Sequence, residues 1–119
     1  MSRVILAAAD RDLLSAYTLW LRARGITAES VFDAVQLFMR AEAGEPGLCV
    51  LDDTLPLRHP LETAGILRSR GWRTILLRRD AAVPADAVDA ALRYPFTPEE
   101  LLAQIAPYLS EPSRAGDGS

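Results

Sequence analysis

The sequence contains no lysine and very few of the other residues that commonly do chemistry. All 13 basic residues are arginine, and the chain has one cysteine and one histidine in 119 residues. The missing lysine excludes any site that needs a lysine amine, and a lone Cys49 excludes an internal disulfide. Without a second histidine or a nearby cysteine, His59 does not predict a metal site. No Ser/His/Asp or Cys/His set is apparent either.

Long apolar runs and strong charge are also absent. Hydrophobic residues make up 50% of the chain and charged residues 24%, with a net charge of −3. That composition is ordinary for a globular domain, and its charge gives no global attraction to nucleic acid or to an anionic membrane. No apolar stretch reaches the roughly 20 residues of a membrane span, and residues 4–9 are too short for a secretion signal. We therefore expect a cytoplasmic protein that binds neither membrane nor nucleic acid.

Strand-like and helix-like segments alternate along the chain. Helices end at Gly25 and Gly71, as expected for glycine just past a helix, and Pro84 interrupts a short alanine-rich segment at 80–89, which predicts a shortened fourth helix. Such alternation with short connections predicts a flavodoxin-like, doubly wound sheet of five parallel strands in the order 2-1-3-4-5. The predicted strands span residues 3–9, 26–31, 48–52, 74–77 and 90–93. The domain is predicted to span residues 1–110, and residues 111–119 form a polar tail predicted to be disordered.

The helices have recognisable beginnings. Asp10 and Asp33 are placed as N-caps, with Gln36 at the capping-box position of the second helix. Thr97, followed by Pro98 and Glu100, predicts the beginning of the last helix with a complete capping box. In the second helix, the large apolar residues are predicted to face the core: Val35, Phe38 and Met39.

Asp52 is the most informative single residue. It ends the apolar run 48–51, which is typical of a central strand buried on both faces. Ligands and reaction centres of open α/β sheets lie at the carboxyl ends of the strands, near the switch point between strands one and three. This topology places Asp52 beside Ala8, Ala9 and Asp10.

One short motif spans the end of the third predicted strand, and a second follows the fifth. Residues 51–56 read Leu-Asp-Asp-Thr-Leu-Pro, and residues 94–102 read Tyr-Pro-Phe-Thr-Pro-Glu-Glu-Leu-Leu. Together they resemble the receiver domain of bacterial response regulators, and the similarity spans residues 3 to 110. The resemblance implies that Asp52 matches the aspartate that accepts a phosphoryl group from a histidine kinase. It also implies a cis peptide bond between Tyr94 and Pro95.

Several positions depart from the receiver pattern together. The acidic pair that holds Mg²⁺ in receivers falls on Ala8 and Ala9, and the switch hydroxyl falls on Arg78. The invariant lysine falls on Tyr94, and the aromatic switch residue falls near Ala91. The features that determine the fold are present, whereas the residues that bind Mg²⁺ and phosphate in receivers are replaced. The resemblance therefore implies a degenerate receiver, or pseudo-receiver.

The replaced residues predict no cofactor. Mg²⁺ requires several hard oxygen ligands, and Asp52 with the Thr54 carbonyl would supply one carboxylate in place of three. Asp10 would join them only through a register shift, and otherwise it is a helix cap. Arg78 is placed either to form a bidentate pair with Asp52 or to point to water as exposed arginines commonly do. Tyr94 is placed either to cover the same pocket with its ring and hydroxyl or simply to pack there.

Three functions remain open at this point. The first is a non-enzymatic module of two-component signalling or phosphorelay that acts through protein–protein contacts, with a protein partner and a possible homodimer, and without phosphorylation. The second is an atypical receiver still phosphorylated on Asp52, with Mg²⁺ held with help from Asp10, Asp12 or Asp53. The third is a small α/β enzyme or nucleotide-binding domain, which the absence of glycine after the first strand disfavours. Arginines between 68 and 93 are either a solvated surface or a docking patch for an acidic partner.

Overall fold

A computed structural model describes residues 3–55, 60–79 and 87–109. The five strands form one parallel sheet in the order β2-β1-β3-β4-β5, which confirms the predicted topology. The strands are β1 (Val4–Ala7), β2 (Ala28–Val31), β3 (Leu48–Asp52), β4 (Arg73–Arg78) and β5 (Ala90–Arg93). The helices are α1 (Arg11–Arg22), α2 (Ala34–Glu42), α3 (Pro60–Ser69) and α4 (Pro98–Leu109).

Two predictions fall on residues outside this description. The shortened fourth helix was placed at 80–89, of which 80–86 lie outside the described residues, and the polar tail at 111–119 lies outside them entirely. Within the described ranges, no helix is long and apolar enough to cross a membrane.

Side-chain caps determine where three helices begin. Asp10 accepts a hydrogen bond from the Leu13 amide at 3.1 Å, and Asp33 accepts one from the Gln36 amide at 2.8 Å. Thr97 and Glu100 bond reciprocally, each side chain accepting the other residue's amide at 3.1 Å. Each cap satisfies amides that the first helical turn leaves without a partner. The three predicted helix starts are confirmed.

The sheet separates two cores, and alternation along each strand assigns residues to one or the other. In β3, Leu48 and Val50 join the core that contains Leu14 of α1 and Leu101 of α4. The intervening residues join the core that includes parts of α2 and α3. Because Asp52 follows Val50 by two positions, its side chain continues on the α1/α4 side, at the carboxyl end of the strand.

The face of α2 was predicted incorrectly. The buried residues are Ala34, Leu37 and Ala41, whereas Val35 is 56% exposed and Met39 is 68% exposed. Phe38, the third residue of the predicted face, is partly buried. Leu37 is the large apolar residue that this face buries, with an alanine about one turn away on either side.

Two features lie next to the ends of strands in the sheet. The peptide bond between Tyr94 and Pro95 is cis, as the receiver resemblance implies. Trp72, which directly precedes β4, is 1% exposed within the α2/α3 core. The guanidinium of Arg3 lies 5.5 Å from its ring centroid, so Trp72 has a structural role.

Candidate functional site

Asp52 lies at the centre of the site and is completely buried. Its side chain is 0% exposed, at the carboxyl end of β3, with β1 on one side and β4 on the other. A buried carboxylate needs compensating charge or hydrogen bonds, because desolvation of an ion costs far more than desolvation of a neutral group. The partners of its two oxygens therefore determine what the site can do.

Both carboxylate oxygens of Asp52 have donors. The Tyr94 hydroxyl donates to Oδ1 at 2.7 Å. The Thr54 amide donates to Oδ2 at 3.2 Å, and the Thr54 hydroxyl donates to the same oxygen. Arg79 Nη1 lies 3.3 Å from Oδ1 and 3.2 Å from Oδ2. A buried carboxylate is thus supplied with one cation and three neutral donors.

Arg79 also joins Asp53 to the site. Its backbone amide donates to Asp53 Oδ2 at 2.8 Å, and its Nη1 donates to Asp53 Oδ1. The guanidinium carbon lies 4.4 Å from the centroid of the Tyr94 ring, within the range of a cation–π contact. Burial lowers the pKa of Arg79, but the two carboxylates outweigh that effect and raise the pKa above its usual value. Arg79 is therefore a permanent cation between the two aspartates.

The predicted partner of Asp52 was one residue out of place. Sequence reasoning assigned the guanidinium to Arg78, whereas Arg79 makes the contact. Asp52 pairs with Leu77 in the sheet, and Leu77 belongs to the α1/α4 core. Alternation therefore gives Leu77 and Arg79 the same face as Asp52, and Arg78 the opposite face with Leu76. Once the register that pairs Asp52 with Leu77 is known, strand parity identifies Arg79 rather than Arg78.

Tyr94 covers the pocket as predicted, through both its hydroxyl and its ring. Its ring centroid lies 4.6 Å from that of Phe96, which lies 5.9 Å from that of Tyr17 on α1. Burial, then the hydrogen bond to Asp52 and the charge of that carboxylate, raises the pKa of Tyr94. The phenol therefore remains a neutral donor across the physiological pH range.

The residues around Asp52 do not fit a magnesium ion. Ala8 is buried and Ala9 is exposed, and neither side chain has an oxygen to offer. Asp10 caps α1, so the register shift that would make it a metal ligand does not occur. Within the described ranges, no group of three or more His, Cys, Asp or Glu residues could hold a metal ion. Mg²⁺ requires a nearly octahedral set of oxygen ligands, and here a guanidinium lies against both carboxylates.

The arginine-rich segment has a structural explanation in part. Asp89 accepts hydrogen bonds from the Thr74 amide at 2.8 Å and from Arg73 Nη1 at 3.2 Å. Arg68 Nε lies 3.6 Å from the same carboxylate. These contacts fix the beginning of β5 against β4. Arg68 and Arg73 are thus engaged within the domain, which weakens the interpretation of the whole segment as a docking patch.

Solved structures of response regulator receivers superpose closely on this chain. The receiver domain of response regulator 1452 from Francisella is 18% identical with a TM-score of 0.81, covering 91% of this chain and 96% of that one. A CheY-like receiver domain protein from Methanospirillum hungatei JF-1 is 21% identical with a TM-score of 0.82, covering 92% and 94%. The chain has the fold of a response regulator receiver domain.

A third structure of this fold was solved with Mg²⁺ and BeF bound. TrrA from Thermotoga maritima, in complex with Mg²⁺ and BeF, is 20% identical with a TM-score of 0.79, covering 91% of this chain and 99% of that one. No protein-family model matches the sequence, and no curated protein matches it. The likeness to these solved structures, at 18%, 21% and 20% identity, therefore shows the fold.

Proposed function

We propose that this chain is a non-enzymatic signal-transduction module of two-component type, a degenerate receiver that acts through protein–protein contacts without phosphorylation. One observation supports this proposal above all. The residue that matches the phosphoacceptor, Asp52, is fully buried, and both of its oxygens already accept hydrogen bonds from Tyr94, Arg79 and Thr54.

The geometry opposes phosphoryl transfer for two reasons. An oxygen of Asp52 must reach an incoming phosphorus atom, which requires the bonds from Tyr94 or Arg79 to break and leaves buried donors without partners. Phosphoryl transfer also depends on positioning and on neutralisation of the charge of the transferred group. Arg79 is one cation that already faces two carboxylates, Asp52 and Asp53, so little positive charge remains for a phosphoryl group.

The same contacts support a domain that stays in one state. Asp52 is the last residue of β3, and Arg79 and Tyr94 directly follow β4 and β5, so their contacts join the carboxyl ends of three neighbouring strands. In this proposal Arg79 neutralises Asp52 permanently, and no added ligand is needed to complete the pocket. The surface that a partner protein recognises is then presented constitutively, either to a different protein or to a second copy of the chain.

Intact-protein mass spectrometry tests this proposal. The chain is incubated with acetyl phosphate and Mg²⁺, beside a phosphorylatable receiver as the positive control. We expect no added phosphoryl group on this chain while the control is modified.

The alternative is an atypical receiver still phosphorylated on Asp52 with the help of Mg²⁺. A phosphoryl adduct that requires Mg²⁺ and disappears in Asp52→Asn would establish that alternative and overturn the proposal. An adduct that persists in Asp52→Asn would identify modification at another residue and leave Asp52 unmodified, as proposed.

A further inference from the structure

The open edge of β2 lies in a groove between α1 and α2. The groove has a volume of 410 Å³ and is lined by polar and charged side chains together with Leu19, which is 66% exposed. Its size falls within the range typical of binding clefts. The lining residues are Ser15, Thr18, Leu19, Arg22, Glu29, Ser30 and Arg40.

The backbone of β2 leaves hydrogen-bonding groups at this edge. The Val31 carbonyl accepts a bond from the Ala8 amide, so Val31 and Glu29 face β1 while Ala28 and Ser30 face outward. Arg22 Nε and Nη2 donate to the outward Ala28 carbonyl at 3.1 and 2.8 Å. In the described part of the chain, no hydrogen bond is recorded for the Ser30 amide or carbonyl. An edge with such groups is a template for another strand.

The charge around the groove selects for acidic ligands. Glu29 is the only acidic residue of the lining and is paired with Arg3 at 3.0 Å and with Arg40 at 3.4 Å. Arg22 contacts a neutral carbonyl rather than a carboxylate. The groove lining therefore holds two arginines, Arg22 and Arg40, and one glutamate, which gives it a net positive charge in a chain whose net charge is −3.

We propose that the β2 edge binds an extended acidic segment of a partner protein, which adds a strand to the sheet. The Ser30 amide and carbonyl would bond to the backbone of that segment, and Arg22 and Arg40 would face its carboxylates. The four residues of β2 span about 13 Å, enough to pair with about four residues of the ligand. This inference rests on the proposed function and names the contact surface and the partner's chemistry.

NMR titration with synthetic peptides tests the proposal. The probe is a capped hexapeptide of alternating valine and glutamate, and the matched probe has lysine in place of glutamate. A third peptide carries N-methyl groups on the amides of one edge. We expect saturable shifts at Leu19 and Ser30 with the glutamate peptide, much weaker binding of the lysine peptide, and loss of binding on methylation.

Two variants sharpen the test. Arg40→Gln should weaken binding of the glutamate peptide about threefold, as expected for one exposed ion pair, whereas Arg93→Gln on the other edge strand should leave it unchanged.

Absence of saturable binding, equal binding of the lysine peptide, or shifts away from β2 would overturn the proposal. Concentration-dependent shifts at Ser30 without peptide would also overturn it, because they would identify a second copy as the occupant. These readouts are independent of Asp52, so failure here leaves the phosphorylation test intact.

Discussion

The Tyr94 hydroxyl donates a 2.7 Å hydrogen bond to Asp52 Oδ1, although 42 residues separate the two in the chain. This bond connects the loop after β5 with the end of β3, on the side of the sheet where Arg79 also lies. In the receiver resemblance these positions correspond to a lysine and the phosphoacceptor. A neutral phenol in place of a lysine leaves Arg79 as the cation that compensates the buried carboxylate.

Tyr94→Phe should destabilise the fold by about 1–2 kcal/mol, because it leaves Asp52 Oδ1 with one donor fewer while the carboxylate stays buried. Urea unfolding measures the change. Tyr17→Phe is the matched control, since it removes a hydroxyl from the same aromatic cluster and the Tyr17 hydroxyl is not a donor to Asp52. Equal stability of Tyr94→Phe and Tyr17→Phe would contradict the assigned role.

Stability should fall at alkaline pH partly through Tyr94. Burial and the contact with Asp52 raise its pKa in the folded state above the ordinary tyrosine value of about 10, so the folded state binds this proton more tightly than the unfolded state does. The contribution of Tyr94 to the free energy of unfolding is complete below about pH 10. Above that pH it declines by up to about 1.4 kcal/mol per pH unit.

Unfolding of the native chain and of Tyr94→Phe, compared between about pH 9 and pH 11, isolates this residue from other alkaline groups. We expect the stability difference between the two proteins to shrink as the pH rises. A difference that stays constant over that range would show that the Tyr94 phenol does not titrate as its environment predicts.

Arg79→Gln should cost about 1 kcal/mol more than Arg78→Gln, because only Arg79 neutralises the buried Asp52. The expected effect is modest since the Arg79 side chain is 44% exposed and solvent screens an exposed ion pair. Thermal and urea unfolding of both variants provide the comparison. If Arg79→Gln costs as much in an Asp52→Asn background as in the native chain, Arg79 does not neutralise Asp52.

The domain's fold and its site differ in how far the sequence predicts them. The cap at Thr97 and Glu100 is local, so residue spacing alone identifies it. The pair between Asp52 and Arg79 depends on strand parity, and an error of one position moved the prediction to Arg78. The inner face of α2 combines Leu37 with the small residues Ala34 and Ala41, and a prediction that gave more weight to the larger side chains of Val35 and Met39 selected the wrong face.

Gly47→Ala should destabilise the domain by about 2–3 kcal/mol through steric conflict. A Cβ atom at this position would lie 2.3 Å from the Arg3 carbonyl oxygen and 2.9 Å from the Arg3 nitrogen, at the beginning of β3. Gly65→Ala is the control, because a Cβ there meets nothing within 4 Å and alanine stabilises a helix interior by about 0.5–1 kcal/mol. In urea unfolding, we expect Gly47→Ala to lower the free energy of unfolding and Gly65→Ala to raise it. Equal changes for the two variants would contradict the packing described.

The most direct test of the central claim is an NMR titration of the chain with Mg²⁺ and beryllofluoride, a mimic of the acyl phosphate. If Asp52 is held permanently by Arg79, Tyr94 and Thr54, the amide signals of these residues will not move at millimolar concentrations of the two ligands. Signals of Asp52, Arg79 and Tyr94 that shift together and saturate would contradict the account. They would show that Mg²⁺ and beryllofluoride bind in the pocket and displace the contacts that Arg79, Tyr94 and Thr54 make with Asp52.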